Sequence, residues 1–367
     1  MAARSIRRGG APSAKALQSL CYAAILISVM AVLASAYSLV HSGRTIYVNK
    51  TVYINNTVYS NSTNSTAPLS QFNITGSLIT PLYYLPNDPV INQSAPFGKT
   101  LQGINSQLNA TELSIINNAS QSYFETAGMM YLNRSLANSV SATVKPVPTF
   151  LVNGKPSVIY FGSITCIFCG ENRWAMALAL SRFGNFSTLF NGYSSFGDYD
   201  VPTLYWSPAQ YNQSSVDLGS FYNSKYINFI AIEDTDPITA GFNLQSLPVI
   251  AQEINSTGNL AYESAFQYIL DINNFQGTPY TIWGGSQVSG ADAIDFGNTP
   301  PTGSTLALSN MTHAQVLGQL ANPDNQFSWT EYAAADLYIA MTCASINNTA
   351  PVCSLPAIIG IEKQNGY

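Results

Sequence analysis

Apolar and polar residues fall into blocks whose period changes along the chain. Ala16 to Val40, "ALQSLCYAAILISVMAVLASAYSLV", carries no charge and is long enough to cross a bilayer core as a helix. Thr45, Thr51 and Thr57 then open three copies of a six-residue repeat. Its even period puts Ile46, Val48, Val52, Ile54 and Val58 on one side of an extended chain and Thr, Tyr and Asn on the other. "SNSTNSTAP" follows as a low-complexity linker. Beyond Thr80 the chain is rich in Asn, Ser and Pro, and "NATELSIINNASQSYFETAGMMYLNRSLANS" predicts one helix capped by Asn109 or Thr111. Leu113, Ile116, Tyr123 and Phe124 give that helix a partial apolar stripe.

"VPTFLVNGKPSVIYFG" predicts two strands about an Asn153-Gly154 turn, the second ending just before Cys166. After Cys169, Trp174, Leu178 and Leu180 predict an amphipathic helix that also carries Arg173 and Arg182 and stops at Gly184. Ile227 to Asp234 reads as a strand, "LAYESAFQYILDINNF" as a helix, and "GTPYTIWGG" sets Pro279 at the head of another strand. A last helix, "SWTEYAAADLYIAMT", runs into Cys343.

Arg4, Arg7, Arg8 and Lys15 precede the apolar segment, which places residues 1–15 in the cytoplasm and everything after Val40 outside. A cleaved signal peptide competes, since Ala34-Ser35-Ala36 has the form of a cleavage site. The apolar run continues past that site and favours a single-pass anchor over 16–40 in the cell membrane. Residues 41–80 read as a stalk, with an edge strand as the rival reading, 81–146 as an elaboration packed on a core domain, and 147–367 as that domain. Asn-x-Ser/Thr triplets recur from Asn49 to Asn347 and are candidate glycan acceptors on an exported chain.

Only 9% of residues are charged, against roughly 25% in a typical soluble domain, although 46% are hydrophobic. The surface must therefore be built from amides and hydroxyls, either by drift or as adaptation to an acid exterior where carboxylates are protonated. A net charge of −5 without a charge run gives no footprint for nucleic acid, and none is expected as a partner.

A strand that delivers Cys-x-x-Cys to a helix N-terminus makes a thiol reactive, because unpaired amides and the helix dipole stabilise a thiolate. Cys166 is then the nucleophile, and Cys169, one turn further in, the resolving thiol, the two able to close a Cys166–Cys169 disulfide. In an oxidising exterior Cys343 and Cys353 form a local disulfide worth roughly 3 kcal/mol. Cys21, in the apolar segment, is an inert small residue. A zinc site from the four later cysteines is disfavoured by the wide second spacing and by there being only two histidines, His41 and His313, and a copper site of the dithiol with His313 because one histidine at a Thr-His-Ala helix start is more often a surface residue. The thiol chemistry requires no metal or organic cofactor. There is no P-loop or dinucleotide fingerprint. A non-catalytic disulfide in a surface binding or structural module remains the rival reading of the pair.

"CIFCGENRWAMALALSRFGNF", "TPYTIWGGSQVSGA" and "YAAADLYIAMTCASINNTAPVC" resemble the thioredoxin-like family called domain of unknown function nine-two-nine, found largely in archaea. The resemblance runs from Val147 to Cys353 and rests on Arg173, Trp174, Ala179, Leu180, Ser181, Arg182, Phe183 and Gly184. It implies an α/β, thioredoxin-like fold with insertions, helices on both faces of the sheet, and a redox-capable pair. In such a fold a cis proline faces the cysteines and the backbone before it pairs with the substrate chain, which makes Thr278-Pro279 the candidate over Pro202, Pro237, Pro248 and Pro300. Ile167 stands where the family tends to carry proline, which changes the turn between the cysteines. The expected activity is thiol–disulfide exchange on thiols or disulfides of exported proteins, with a membrane electron-transfer partner if the pair works as a reductant.

Overall fold

Strand β4 (Lys155–Ser163) is buried from Ser157 through Gly162 and organises everything around it. The computed structural model describes residues 72–74, 106–136, 144–163, 166–194, 201–206, 221–234, 260–273, 279–289, 308 and 310–367, all within the compact unit Ala67–Tyr367. The anchor segment, Cys21, the repeats and Thr278 lie outside the described residues. No helix among the described residues is long and apolar enough to cross a membrane.

A hairpin leads into β4. Strand β3 (Phe150–Val152) turns at Asn153 (φ 53°) and Gly154 (φ 74°), and Val152 then pairs with Lys155. Two successive left-handed residues are what a two-residue hairpin needs, and Asn-Gly supplies them at least cost. Strand β9 (Asn228–Asp234) runs parallel to β4 from Ser157↔Asn228 to Ser163↔Asp234. On the other side β10 (Tyr280–Trp283) pairs antiparallel, Tyr280 with Phe161 and Trp283 with Val158. Strand β11 (Ser286–Ser289) and then β2 (Val144–Pro146) extend the sheet, while β1 (Phe72–Ile74) joins β3 in parallel. Two small antiparallel pairs stand apart: β5 (Gly184–Phe186) with β8 (Tyr222–Ser224), and β6 (Phe190–Tyr193) with β7 (Pro202–Tyr205).

Seven α-helices are described: α1 (Ala110–Asn117), α2 (Gln121–Leu132), α3 (Ile167–Leu180), α4 (Leu260–Asn273), α5 (His313–Ala321), α6 (Gln326–Ser345) and α7 (Pro356–Asn365). Strand periodicity sends alternate residues of the sheet to opposite faces. Val158, Tyr160, Phe229, Ala231 and Trp283 pack with α3 and α6, whereas Ile159, Phe161, Ile230, Ile232 and Ile282 pack with α4. The mixed α/β sheet thus carries helices on both faces.

Three expectations need correction. The single helix expected from Asn109 onward is two. Asn109 closes a capping box with Glu112, but the chain breaks at Asn118, and Ser120 caps α2. The break is held from outside: the Arg182 guanidinium donates to the carbonyls of Asn117 and Ala119, both at 2.8 Å. Arg182 itself lies beyond Ser181, the C-cap of α3, so it is not a helix residue. Nor is α3 amphipathic: every residue is buried except Phe168, which is 44% exposed, because α3 lies between β7 and α6.

Candidate functional site

The two cysteines sit where β4 hands over to α3. Cys166 is the N-cap, with extended backbone (φ −74°, ψ 129°), and its Sγ accepts the N–H of Cys169 at 3.5 Å. Its carbonyl takes the N–H of Gly170 at 2.9 Å and starts the helical ladder. A sulfur in this position faces the unsatisfied amides of the first turn and the positive end of the helix dipole, which favours negative charge on it. Cys166 is partly exposed; Cys169 is fully buried. Each sulfur takes a backbone N–H, that of Ser163 reaching Cys169 Sγ at 3.3 Å.

Ser163, the last residue of β4, is the junction of the site. Its carbonyl accepts from the Cys166 N–H at 3.2 Å and from Arg173 Nη2 at 2.8 Å. Arg173 is fully buried, one turn after Cys169, with its guanidinium carbon 5.8 Å from the ring centres of both Tyr160 and Tyr205. Its Nη1 reaches Thr203 Oγ1 at 3.5 Å, and that hydroxyl donates to the carbonyl of Gly170 at 2.6 Å. Trp174 Nε1 donates to Pro202 O at 3.0 Å, fixing β7 against the same helix. A cation, a serine and a threonine thus gather beside the pair, and the spacing of charged residues in the sequence does not reveal them.

Pro279 is buried and immediately precedes β10. Tyr280 pairs with Phe161, so continuing the antiparallel register sets Pro279 level with Gly162, at the end of β4 that leads to Cys166. Thr278 lies outside the described residues. Cys343 and Cys353 are joined to each other. They stand at the other end of β10: Ser345, two residues after Cys343, occupies the space where a side chain on Gly284 would lie, in the β10–β11 turn. The two cysteine pairs are therefore separated by the length of a strand.

His313, expected at the surface, is buried at the start of α5 with Thr312 as N-cap. Its Nε2 lies 2.7 Å from Gly192 O and 3.0 Å from Thr203 O; two carbonyls can only accept, so Nε2 carries the proton. Burial pushes its pKa below the ordinary value, against the raising pull of those two carbonyls. Behind α3, Tyr338 Oη donates to Asn172 Oδ1 at 2.6 Å and stacks on Trp283 at 4.1 Å. Glu331 is fully buried and beside Glu171, and burial first, then that neighbour, pushes its carboxyl well above the usual range. Asp336, also fully buried, is raised in the same way, by burial and then by Glu125. Among the described residues no three of His, Cys, Asp and Glu gather as metal ligands.

Strand, cysteine pair, helix and following hairpin form one contiguous stretch of sequence, and that stretch decides the relationship. Residues 142–288 match the family model for a domain of unknown function, DUF929. The matched segment holds Ser163, Cys166, Cys169, Arg173, Thr203 and Pro279. It ends before α5, so the C-terminal stretch with Cys343 and Cys353 lies outside it, although the quoted resemblance extended there. No curated protein and no solved structure matches the chain.

Proposed function

We propose that the protein is a membrane-anchored, extracytoplasmic thiol–disulfide oxidoreductase or isomerase that acts on exported proteins through Cys166 and Cys169. The observation that carries this reading is the position of Cys166: a partly exposed helix N-cap whose sulfur accepts the Cys169 amide, above a fully buried second thiol. The thioredoxin-like reading has support in the topology, in which the strand before the cysteines has a parallel neighbour on one side and, on the other, an antiparallel one preceded by Pro279. In the oxidising direction a substrate thiolate attacks Cys166 Sγ of the closed pair, breaking its bond to Cys169, which leaves as thiolate and takes a proton. A second substrate thiolate then attacks the substrate sulfur of the mixed disulfide and releases Cys166. Two electrons pass to the protein and the substrate gains its disulfide. In isomerisation the Cys166 thiolate of the open pair instead attacks a substrate disulfide and one substrate sulfur leaves as thiolate; a different substrate thiolate then attacks the substrate sulfur of the mixed disulfide and releases Cys166, with no net transfer of electrons. Steady reduction would need a membrane electron donor. Backbone beside Pro279 holds the substrate in extended form.

The test is a trap. With Cys169 replaced by alanine, the mixed disulfide on Cys166 has no resolving thiol, and exported proteins should be recovered covalently attached. If nothing is captured, and the purified protein neither oxidises nor reduces a model dithiol at any pH it withstands, a non-catalytic surface or structural module takes this reading's place.

A further inference from the structure

Six asparagines of Asn-x-Ser/Thr triplets have described surroundings: Asn109, Asn118, Asn133, Asn185, Asn310 and Asn347, and all six are exposed. Exposure does not follow from residue type alone, since Asn172, Asn191 and Asn228, none of them in a triplet, are buried. Three of the six share one end of the fold. Helix α3 has fourteen residues, about 21 Å at 1.5 Å each, with Cys166 at its start. Past its far end Arg182 grips Asn117 O and Ala119 O, which bracket Asn118. Asn185 follows three residues later in β5, opposite Asn223 of β8, and the carbonyl of Ser224 is held by Lys155 at the start of β4. Asn347 comes just after α6, whose Ser345 lies against Gly284; the preceding Trp283 pairs with Val158, about 16 Å back along β4 from Ser163. Among the described residues, Ser163, Cys166 to Arg173 and Pro279 to Tyr280 contain no such triplet, and Phe168 is exposed there.

We propose that Asn118, Asn185 and Asn347 carry N-linked glycans, which gather at the end of the domain away from Cys166 and Cys169. In the transfer the asparagine Nδ2 attacks the anomeric carbon of a lipid-phosphate-linked oligosaccharide. An N–C bond forms and the C–O bond to phosphate breaks, the phosphate leaving with the electron pair. One amide proton goes to the transferring enzyme's base, and nothing is oxidised or reduced. At Asn118 the Nδ2 now donates to Ser114 Oγ at 2.9 Å in an exposed bond, which is readily exchanged for water or sugar. Asn347 sits in a left-handed turn (φ 53°) and is exposed. The proposal shares with the proposed function only the exported location; it is independent of dithiol chemistry.

The full chain, isolated from its own cells, is digested and its peptides weighed. The peptides containing Asn118, Asn185 and Asn347 are expected to carry oligosaccharide masses. Asn118→Gln, Asn185→Gln and Asn347→Gly, the last suited to the left-handed backbone, should each remove one glycan's worth of mass and leave dithiol exchange unchanged. Recovery of all three peptides only in bare form, from a chain shown by protease treatment of intact cells to be exterior, overturns the proposal. Glycans on a chain without dithiol exchange would uphold it while removing the oxidoreductase reading.

Discussion

Arg173 holds the carbonyl oxygen of Ser163 at 2.8 Å, ten residues back across the β4–α3 junction. Through that one residue it is tied to both cysteines, because Ser163 also takes the Cys166 amide and gives its own to Cys169. A guanidinium keeps its charge at any pH the chain meets. Burial alone makes a thiol inert, whereas a fixed cation nearby, in a medium less polar than water, favours the thiolate.

Arg173→Met is therefore expected to slow the step that depends on Cys169 by about tenfold or more, with Arg173→Lys intermediate. An aromatic disulfide that releases a coloured thiol separates the steps, since the first equivalent reports Cys166 and the second Cys169. The pH midpoint of the second phase should rise in the methionine variant. An unchanged second phase in a folded Arg173→Met protein would reduce Arg173 to packing.

Cys343→Ala should cost about 3 kcal/mol of stability, the loop-entropy value for a bond closing ten positions. Because the bond lies at the far end of β10 from Pro279, thiol exchange at Cys166 should survive at temperatures where the variant is folded. Thermal melts and exchange rates on the same preparation check both halves. A peptide map linking Cys343 or Cys353 to Cys166 would instead mean that electrons pass between the pairs.

Stability should be greatest in acid and fall as pH rises. Glu331 and Asp336 are held protonated in the folded chain by burial, so below their ordinary values of 4.5 and 3.8 they are protonated folded or unfolded and contribute no pH dependence. Above those values the unfolded chain loses the protons first and is favoured, by about 1.4 kcal/mol per pH unit per group, until the folded groups ionise too. Each group should lower Tm by about 2–4 °C per pH unit in that window. Glu331→Gln with Asp336→Asn should flatten the slope; a melting temperature independent of pH from 4 to 7 would contradict the assignment.

The elements nearest the cysteines were readable because their signals are local. Asn153-Gly154 sets its own turn, Ile227–Asp234 is a continuous apolar run apart from Asn228 and its acidic end, and Pro279 marks the strand that follows it. What escaped was decided by distant partners. Asn117 to Ser120 look like helix interior until Arg182 takes the carbonyls of Asn117 and Ala119. Arg173 and His313 look like surface residues until Ser163 in one case and the Gly192 and Thr203 carbonyls in the other satisfy them inside. Glu331 and Asp336 carry the residue types of a solvated face, yet α6 is covered on all sides, and only tertiary structure reveals that.

That covering has a practical consequence for anyone expressing the protein in pieces. Helix α6 begins well beyond residue 288, but it supplies Tyr338 to Asn172 and Trp283, and Glu331 to the neighbourhood of Glu171. A truncated product ending where the family match ends would leave the inner side of α3 facing water, with the Tyr338 contacts to Asn172 and Trp283 and the Glu331–Glu171 neighbourhood all unmade. Such a fragment should aggregate or be degraded, and its silence in an assay would say nothing about the cysteines.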